Sequence, residues 1–108
     1  ARDRELATIY EVAAEAVLRG IGILPVDIVR SEARAFAVEG PAIRTPLAAV
    51  PGLGVAAAES VVEARQERAF TSKQDLRDRT RLTRSQVDAL AEMGAIGDLP
   101  DTDQLSLF

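Results

Sequence analysis

A Pro-Gly-Leu-Gly tetrapeptide at residues 51–54 is the feature that most restricts how this 108-residue chain can fold. A short apolar segment precedes it, and Ala58, Val61 and Val62 follow it at helical spacing. Two glycines separated by one residue permit positive φ at a very tight turn, while Leu53 can fill the gap between the flanking elements. The segment therefore predicts a tight corner that leads into a helix.

The same tetrapeptide leaves backbone N–H groups accessible, because neither glycine carries a side chain. From Gly54 into the first turn of the next helix, these amides can approach another molecule closely. Free amides at a helix N-terminus attract anions, and a phosphate of a DNA backbone suits them. The alternative is a helix-helix corner without any ligand.

Before this corner the sequence predicts a helix and then irregular chain. From Asp3 to Arg19 apolar residues recur at helical spacing, and Gly20 provides a stop. These apolar residues are Leu6, Ile9, Val12, Ala13, Ala16 and Val17. One helical turn is expected around 31–35, and the turn Glu39-Gly40-Pro41 is expected to join extended pieces around 36–38 and 42–44.

After the corner, a second and degenerate hairpin unit is expected. Capping-box patterns begin at Ser72 and at Thr83, each opening a short helix, and Gly94 ends the second. Packed against the first unit, this second unit is expected to bury Phe70, Leu76, Leu82, Val87, Leu90 and Ile96. It lacks a glycine pair, so it is expected to pack more than it binds.

The formal net charge of −4 argues against nucleic-acid binding when it is taken alone. By region, however, residues 1–40 carry −2, residues 41–97 carry +1 and residues 98–108 carry −3. Four arginines close together in the middle region predict a local basic edge; they are Arg77, Arg79, Arg81 and Arg84. Such clusters are more often solvated surface than binding sites.

The last five residues form an apolar peptide after an acidic spacer. Leu105, Leu107 and Phe108 offer apolar anchors, and the amide of Gln104 can donate and accept hydrogen bonds. The peptide, which includes Ser106, resembles the consensus that bacterial polymerases and repair factors use to bind the sliding clamp. The alternative is that these residues fold back onto the domain.

Composition excludes several kinds of chemistry. The chain has no cysteine and no histidine, which removes thiol nucleophiles, the usual zinc ligands and the commonest general base. No apolar run reaches the length of a membrane span. The chain starts at Ala1, so we expect it to be cut from something longer, and we expect it to be cytoplasmic, monomeric and without contact to a membrane.

The hairpin resembles the helix-hairpin-helix family, whose members bind duplex DNA without sequence preference through main-chain amides. The motif positions are held by Val50, Pro51, Gly52, Leu53, Gly54, Ala58 and Val61. The expected fold is mainly α, with tandem hairpin units, a preceding helix, a short β-hairpin and a flexible C-terminal tail.

The order of further motifs is similar to bacterial replicative DNA polymerase III alpha subunits of the PolC-type branch. These motifs are Ile23-Leu24-Pro25-Val26-Asp27-Ile28, Ser31, Phe36, Ile43, the hairpin, Arg65, Phe70-Thr71-Ser72, Asp75-Leu76, Gly94-Ala95 and the terminal peptide. The resemblance implies that residues 1–40 end a fingers region, that 41–97 bind duplex DNA, and that 98–108 form a tail carrying the clamp peptide. It also implies that catalytic carboxylates and their Mg²⁺ ions lie upstream of Ala1.

The sequence therefore predicts a non-catalytic part of a replicative polymerase that grips duplex DNA and tethers the polymerase to the clamp. The residues predicted to contact DNA are Pro51, Gly52, Leu53, Gly54, Val55, Ala56, Arg81 and Arg84. The residues predicted to contact the clamp are Gln104, Leu105, Ser106, Leu107 and Phe108. A repair or recombination module, or a structural helical interaction domain, remains an alternative. No cofactor or metal is expected within the chain itself.

Overall fold

The computed structural model describes the backbone of residues 2–102 and the side chains of residues 8–102. Helices predominate in this part, and three short strands form one small sheet. The predicted mainly α fold with a short β element is confirmed. In chain order the elements are α1 (Arg2–Leu18), β1 (Gly22–Leu24), β2 (Ala37–Glu39), β3 (Ala42–Arg44), a 3-10 helix (Leu47–Ala49), α2 (Val55–Glu67), α3 (Lys73–Arg79) and α4 (Arg84–Glu92).

Helix α1 ends where the sequence predicted. Gly20 takes φ +73°, and the amides of Gly20 and Ile21 donate to the carbonyls of Val17 and Ala16 in a Schellman motif. The helix lies against β1 and the 3-10 helix, with Ile9 and Ala16 buried.

Two residues of the predicted apolar face of α1 do not lie in the core. Val12 and Val17 are 40% and 66% exposed, because α1 contacts the described part of the domain along a narrow stripe only. The side chain of Leu6 lies outside the described residues.

The sheet has the order β1-β3-β2. Strands β2 and β3 form the predicted antiparallel hairpin, with Gly40 at φ +59° in the turn, and the predicted region boundary at residues 40 and 41 falls in that turn. Strand β1 adds to β3 in parallel, pairing Gly22 with Ala42. The sequence did not predict β1, because a three-residue strand has too few positions to show alternation and its partner lies far along the chain.

The segment between β1 and β2 contains no helical turn at 31–35, so that prediction is wrong. The carbonyls of Glu32 and Ala33 accept hydrogen bonds from the amides of Leu47 and Ala48 in the 3-10 helix. These carbonyls therefore bond a distant segment in place of a local helical turn. The buried Ser31 hydroxyl accepts from the Asp27 amide at 2.9 Å and donates to the Thr45 carbonyl at 2.6 Å. These contacts hold the segment in an open bend.

Arg65 of α2 ties the same segment to the hairpin region. Its guanidinium donates to the carbonyl of Ile28 at 2.9 Å and to that of Ser31 at 2.6 Å. Motif residues such as Ser31 and Arg65 thus hold the fold together, since they connect the β1–β2 segment to α2.

One hydrophobic cluster runs through the described chain, from Ile9 to Ile96. The six residues predicted to pack between the two hairpin units are all buried, which confirms that prediction; they are Phe70, Leu76, Leu82, Val87, Leu90 and Ile96. Leu47, Leu53 and Val61 join them from the 3-10 helix, the turn and α2. Burying a large aliphatic side chain stabilises a fold by about 1.5–3 kcal/mol, so this cluster fixes how α2 lies relative to α3 and α4.

Candidate nucleic-acid interface

The predicted corner is a turn closed by a hydrogen bond from the Leu53 amide to the Val50 carbonyl at 3.1 Å. Pro51 occupies its second position, and Gly52 takes φ +81° at its third, as a type II turn requires. Gly54 then takes φ +80° and ψ 157°, a conformation that is essentially restricted to glycine. Both glycines are therefore required by the backbone.

Helix α2 begins directly after this turn without a side-chain cap. Gly54 is its N-cap and has no side chain to accept a hydrogen bond, and the Ala58 amide makes the first backbone bond, to the Gly54 carbonyl at 3.2 Å. The amides of the first turn therefore have no cap acceptor, and the helix dipole adds partial positive charge there. Val55 is half-buried and Ala56 is exposed, so this end of the helix is open to a ligand.

The other predicted hairpin residues differ in exposure. Pro51 and Gly52 are exposed at the tip of the turn, and Gly54 is half-buried. Leu53 is only 3% exposed and packs in the core. Its side chain is the predicted plug between the elements, and it is not available to a DNA ligand.

Helices α3 and α4 form the second hairpin, whose turn is built by a hydroxyl in place of glycines. Thr80 donates its hydroxyl to the Leu76 carbonyl at 2.7 Å and accepts from the Leu82 amide at 3.2 Å. The Thr83 and Gln86 capping box predicted for α4 is present with both of its hydrogen bonds. At α3 only half of the predicted box forms, since Ser72 accepts from the Asp75 amide while the Asp75 carboxylate bonds elsewhere.

Two polar contacts join the second hairpin to the turn and the first half of α2. The Gln86 side-chain amide donates to the Gly52 carbonyl at 3.0 Å, and the Ser60 hydroxyl of α2 accepts from the Arg81 amide at 2.9 Å. These bonds place the start of α4 and the Arg81 backbone beside the first hairpin. Neither Gln86 nor Ser60 was predicted to be a site residue, because each acts through a contact with a segment distant in the sequence.

Arg79 does not belong to the predicted basic edge. Its side chain is 14% exposed and donates to the carbonyls of Ala64 at 2.7 Å and Arg68 at 3.0 Å, at the end of α2. Its guanidinium also lies 4.8 Å from the centre of the Phe70 ring. The guanidinium is therefore used to join α2 to α3.

The carboxylate partner of Arg79 is Asp75, one turn earlier on α3 and 7% exposed. Burial alone would raise the pKa of Asp75, but hydrogen bonds from the Thr71 amide, Arg79 and Arg68 outweigh burial and lower the pKa to about 2. Asp75 is thus ionised at neutral pH and serves the α2–α3 junction.

Three arginine side chains form neither an ion pair nor a hydrogen bond within the part of the chain that the structure describes: Arg77, Arg81 and Arg84. By contrast, Arg44 is paired with Glu39 at 2.6 Å, and Arg19 with Glu15 at 2.7 Å. The unpaired guanidinium groups therefore lie on the second hairpin, which is bonded to the first through the Gln86 side chain and the Arg81 backbone.

These three arginines do not share one groove. Arg77 and Arg84 line a groove of about 410 Å³ between α3 and α4, together with Lys73 and Asp88. Arg81 lines a separate groove along α2, beside Glu63 and Glu67. Arg84 therefore lies in the same groove as Arg77, a residue that was not among the predicted DNA contacts. Arg81, which was predicted to act with Arg84, lies in the other groove.

The start of the predicted tail is attached to the N-terminus of α3. The amides of Lys73 and Gln74 donate to the carbonyls of Pro100 at 2.8 Å and Asp101 at 3.0 Å, and the Lys73 ammonium lies 3.1 Å from the Asp101 carboxylate. Leu99 packs against the core. The predicted clamp peptide, residues 104–108, lies outside the described residues.

The Mg²⁺ ions that the polymerase resemblance implies have no ligand set here. Within residues 8–102 no group of three or more acidic side chains is arranged to hold a metal ion. Among the helices of the described chain, none is long and apolar enough to cross a membrane.

Tandem hairpins around an uncapped, glycine-bounded helix start define a class of domain. The family model described as "Helix-hairpin-helix motif" matches residues 20–105, and the chain belongs to this family.

Its similarity to individual proteins is more specific. The chain is 42% identical over its whole length to the DNA polymerase III PolC-type of Thermotoga maritima, of which it covers 8%. It is 42% identical over 99% of its length to the protein of that name from Bacillus cereus, and 38% identical to that of Staphylococcus epidermidis, covering 8% and 7% of them. The resemblance predicted from the order of motifs is confirmed, and the chain spans less than one-tenth of these relatives.

Proposed function

We propose that the chain is the part of a replicative DNA polymerase that holds duplex DNA by its sugar-phosphate backbone and links the polymerase to the sliding clamp. The relatives named DNA polymerase III PolC-type and the helix-hairpin-helix match support a DNA-binding region of such a polymerase. One observation carries the finer proposal: α2 begins without a side-chain cap, and the second hairpin, which is bonded to that turn through Gln86, carries the three unpaired arginines.

Both features favour phosphate over base recognition. Backbone amides and a helix dipole attract an anion and carry no information about sequence. The unpaired guanidinium groups add charge locally although the chain is acidic as a whole, with a net charge of −4. Binding is therefore expected to be independent of sequence and to weaken steeply with salt.

The clamp contact belongs to the terminal peptide. Leu105, Leu107 and Phe108 would fill an apolar pocket, with the Gln104 amide at its rim. Ordering such a peptide offsets part of the apolar gain, so we expect an affinity on the order of micromolar. Linking this contact to duplex binding makes the second event intramolecular, at an effective concentration of about millimolar.

Under this proposal nucleotidyl transfer and its Mg²⁺ ions belong to other parts of the polymerase, and the place of action is the cytoplasm. The chain described here binds DNA and the clamp, and it takes no part in the chemical step.

A duplex titration at increasing salt tests the DNA contact. The 108-residue chain is titrated into fluorescein-labelled duplexes of two sequences. Arg84→Ala and Arg77→Ala should each reduce the slope of log Kd against log salt by about one, because each removes one phosphate contact. Arg19→Ala is the matched control, since that arginine is paired with Glu15 on α1.

Two results would contradict the DNA contact. Binding that does not respond to salt, or no binding at all, would favour a structural interaction domain. A marked preference for one of the two sequences would indicate base readout, in place of phosphate recognition.

A further inference from the structure

Gln86 uses both ends of its side-chain amide at the junction of the two hairpins. Its Oε1 accepts from the Thr83 amide at 2.9 Å, which closes the capping box of α4. Its Nε2 donates to the Gly52 carbonyl at 3.0 Å, across 34 residues of chain. A single side chain therefore joins the start of α4 to the turn of the first hairpin.

The chemistry of the two partners fixes the orientation of this amide. A backbone N–H can only donate, so the atom that faces Thr83 must be the oxygen. A carbonyl can only accept, so the atom that faces Gly52 must be the nitrogen. A flipped amide would lose both bonds.

The Gly52 carbonyl belongs to the peptide group that precedes the uncapped helix start. The N–H of this peptide group, from Leu53, donates to the Val50 carbonyl at 3.1 Å. With its carbonyl held by Gln86, the peptide plane is fixed at both ends. A methyl group added at Gly52 would meet no atom within 4 Å outside its chain neighbours, so side-chain packing does not hold this position.

We propose that Gln86 is a positioning residue, which holds the turn of the first hairpin against the start of α4 so that two phosphate contacts keep a fixed spacing. One contact is the amide group at the start of α2, and the other is Arg84, two residues before Gln86. The proposal rests on the proposed duplex binding. It adds to that function the residue that fixes the distance between the two phosphate contacts.

The capping box alone does not explain a glutamine at this position. Glutamate closes a capping box equally well, because only an acceptor oxygen is needed for the amide at Thr83. Only glutamine also carries a donor for the Gly52 carbonyl. Gln86→Glu should therefore keep the cap of α4 and lose the bond to the hairpin.

Three variants separate this role from charge and from capping. Gln86→Glu removes the bond to Gly52 and adds a negative charge. Ser85→Glu adds the same charge at the neighbouring exposed position with the bond intact. Thr83→Ala removes the hydroxyl that accepts from the backbone amide of Gln86 at 3.2 Å. It keeps both bonds of the Gln86 side chain, because these involve the backbone of Thr83 and of Gly52.

Two measurements are made on the 108-residue chain: duplex affinity, and hydrogen exchange of the Leu53 amide without DNA. Relative to Ser85→Glu, Gln86→Glu should bind duplex about fivefold more weakly and exchange Leu53 about fivefold faster, the factor of one net hydrogen bond. Thr83→Ala should lower the melting temperature while leaving both values unchanged.

Equal affinity of Gln86→Glu and Ser85→Glu would overturn the proposal, whatever the exchange rates are. A loss of affinity with unchanged Leu53 exchange would also overturn it, because the hairpin would then not be the element that moves. If the unaltered chain bound no duplex, the proposed function itself would fail. The exchange rates would still show whether Gln86 holds the turn.

Discussion

Arg79 and Arg81 are two residues apart in the sequence and have opposite environments. Arg79 ends α3 one turn after Asp75, so its guanidinium reaches the Asp75 carboxylate at 2.9 Å and the carbonyls at the end of α2. Arg81 lies in the turn after the helix, where its backbone amide donates to Ser60 and its guanidinium has no partner among the described residues. The spacing of Asp75 and Arg79 was the available sign that this arginine is structural.

The free energy of unfolding should depend on pH in the acid range because of Asp75. The pKa of Asp75 falls from its ordinary 3.8 to about 2 on folding, so the unfolded chain binds more protons between these values. Stability should be complete above about pH 4, and about 2 kcal/mol should be lost as the pH falls to about 2. Urea unfolding at several pH values measures this.

Asp75→Asn supplies the comparison for that experiment. The difference in unfolding free energy between the unaltered chain and Asp75→Asn should shrink over the same pH range. Asp78→Asn, at an exposed position of α3, should leave the pH dependence as it is. A pH dependence that survives in Asp75→Asn would show that other carboxylates are responsible.

Gly54 provides a second test at the residue scale. Gly54→Ala should lower stability by about 1–3 kcal/mol, because φ +80° with ψ 157° is unfavourable for any residue with a Cβ. The added methyl group meets no atom within 4 Å, so the effect is one of the backbone. Because the backbone must shift, duplex affinity should fall equally for different sequences.

Gly94→Ala is the matched control for Gly54. Gly94 takes φ +77° after α4 and also has no atom within 4 Å of an added methyl group. It should lose stability by a similar amount and retain duplex affinity. A loss of affinity in Gly94→Ala would mean that lower stability alone explains the result at Gly54.

At the scale of elements, α3 shows how a short helix is capped from a distance. Ser72 accepts from the Asp75 amide, and the carbonyls of Pro100 and Asp101 accept the amides of Lys73 and Gln74. The free amides in the first turn of α3 are therefore bonded partly by carbonyls of the segment that follows α4. Residues 100 and 101 are held in place in return.

Lys73→Pro should release this attachment without breaking α3. Proline is well tolerated at the first position of a helix, and Ser72 before it already has the extended backbone, φ −161° and ψ 168°, that proline favours. The variant removes the amide that donates to Pro100. We expect the Gln74 amide to exchange about fivefold faster, as measured by NMR.

Lys73→Ala is the control, because it removes the ammonium group beside Asp101 and keeps the amide. That ion pair is solvent-exposed and is worth little, so exchange at Gln74 should not change. Faster exchange in both variants would show that the ion pair, and not the backbone bond, holds the segment.

What the sequence could predict at this scale follows from the range of the interactions. The tight turn at Gly52, the stop of α1 at Gly20 and the capping box of α4 are local, and all three were predicted. The parallel pairing of β1 with β3 and the bond from Gln86 to Gly52 join distant segments. A single sequence has no signal that pairs such positions, so these features needed the structure.

At the scale of the whole molecule, the proposed function assigns DNA and the clamp to separate parts of the chain. Removing Leu107 and Phe108 should therefore lower clamp affinity by at least about 100-fold, since two large apolar groups leave the interface. Duplex affinity should stay the same. Titrations with purified clamp and with duplex measure the two effects separately.

Ser106→Ala is the matched control for that truncation, because it changes the same peptide without removing a large apolar group. It should keep most of the clamp affinity. Clamp binding by the truncated chain would contradict the assignment of the clamp contact to the terminal peptide.

Because Asp101 is attached to α3, only a short linker separates the folded domain from the terminal peptide in such an assembly. Two residues separate Asp101 from Gln104, and the three Cα–Cα steps between them span at most about 11 Å when the chain is fully extended. A clamp that holds the terminal peptide must therefore come close to the start of α3. The groove of Arg77 and Arg84 adjoins that point, because Lys73 and Asp101 also line it. DNA bound in that groove would therefore lie close to the clamp, and the distance between the two binding partners could vary only slightly.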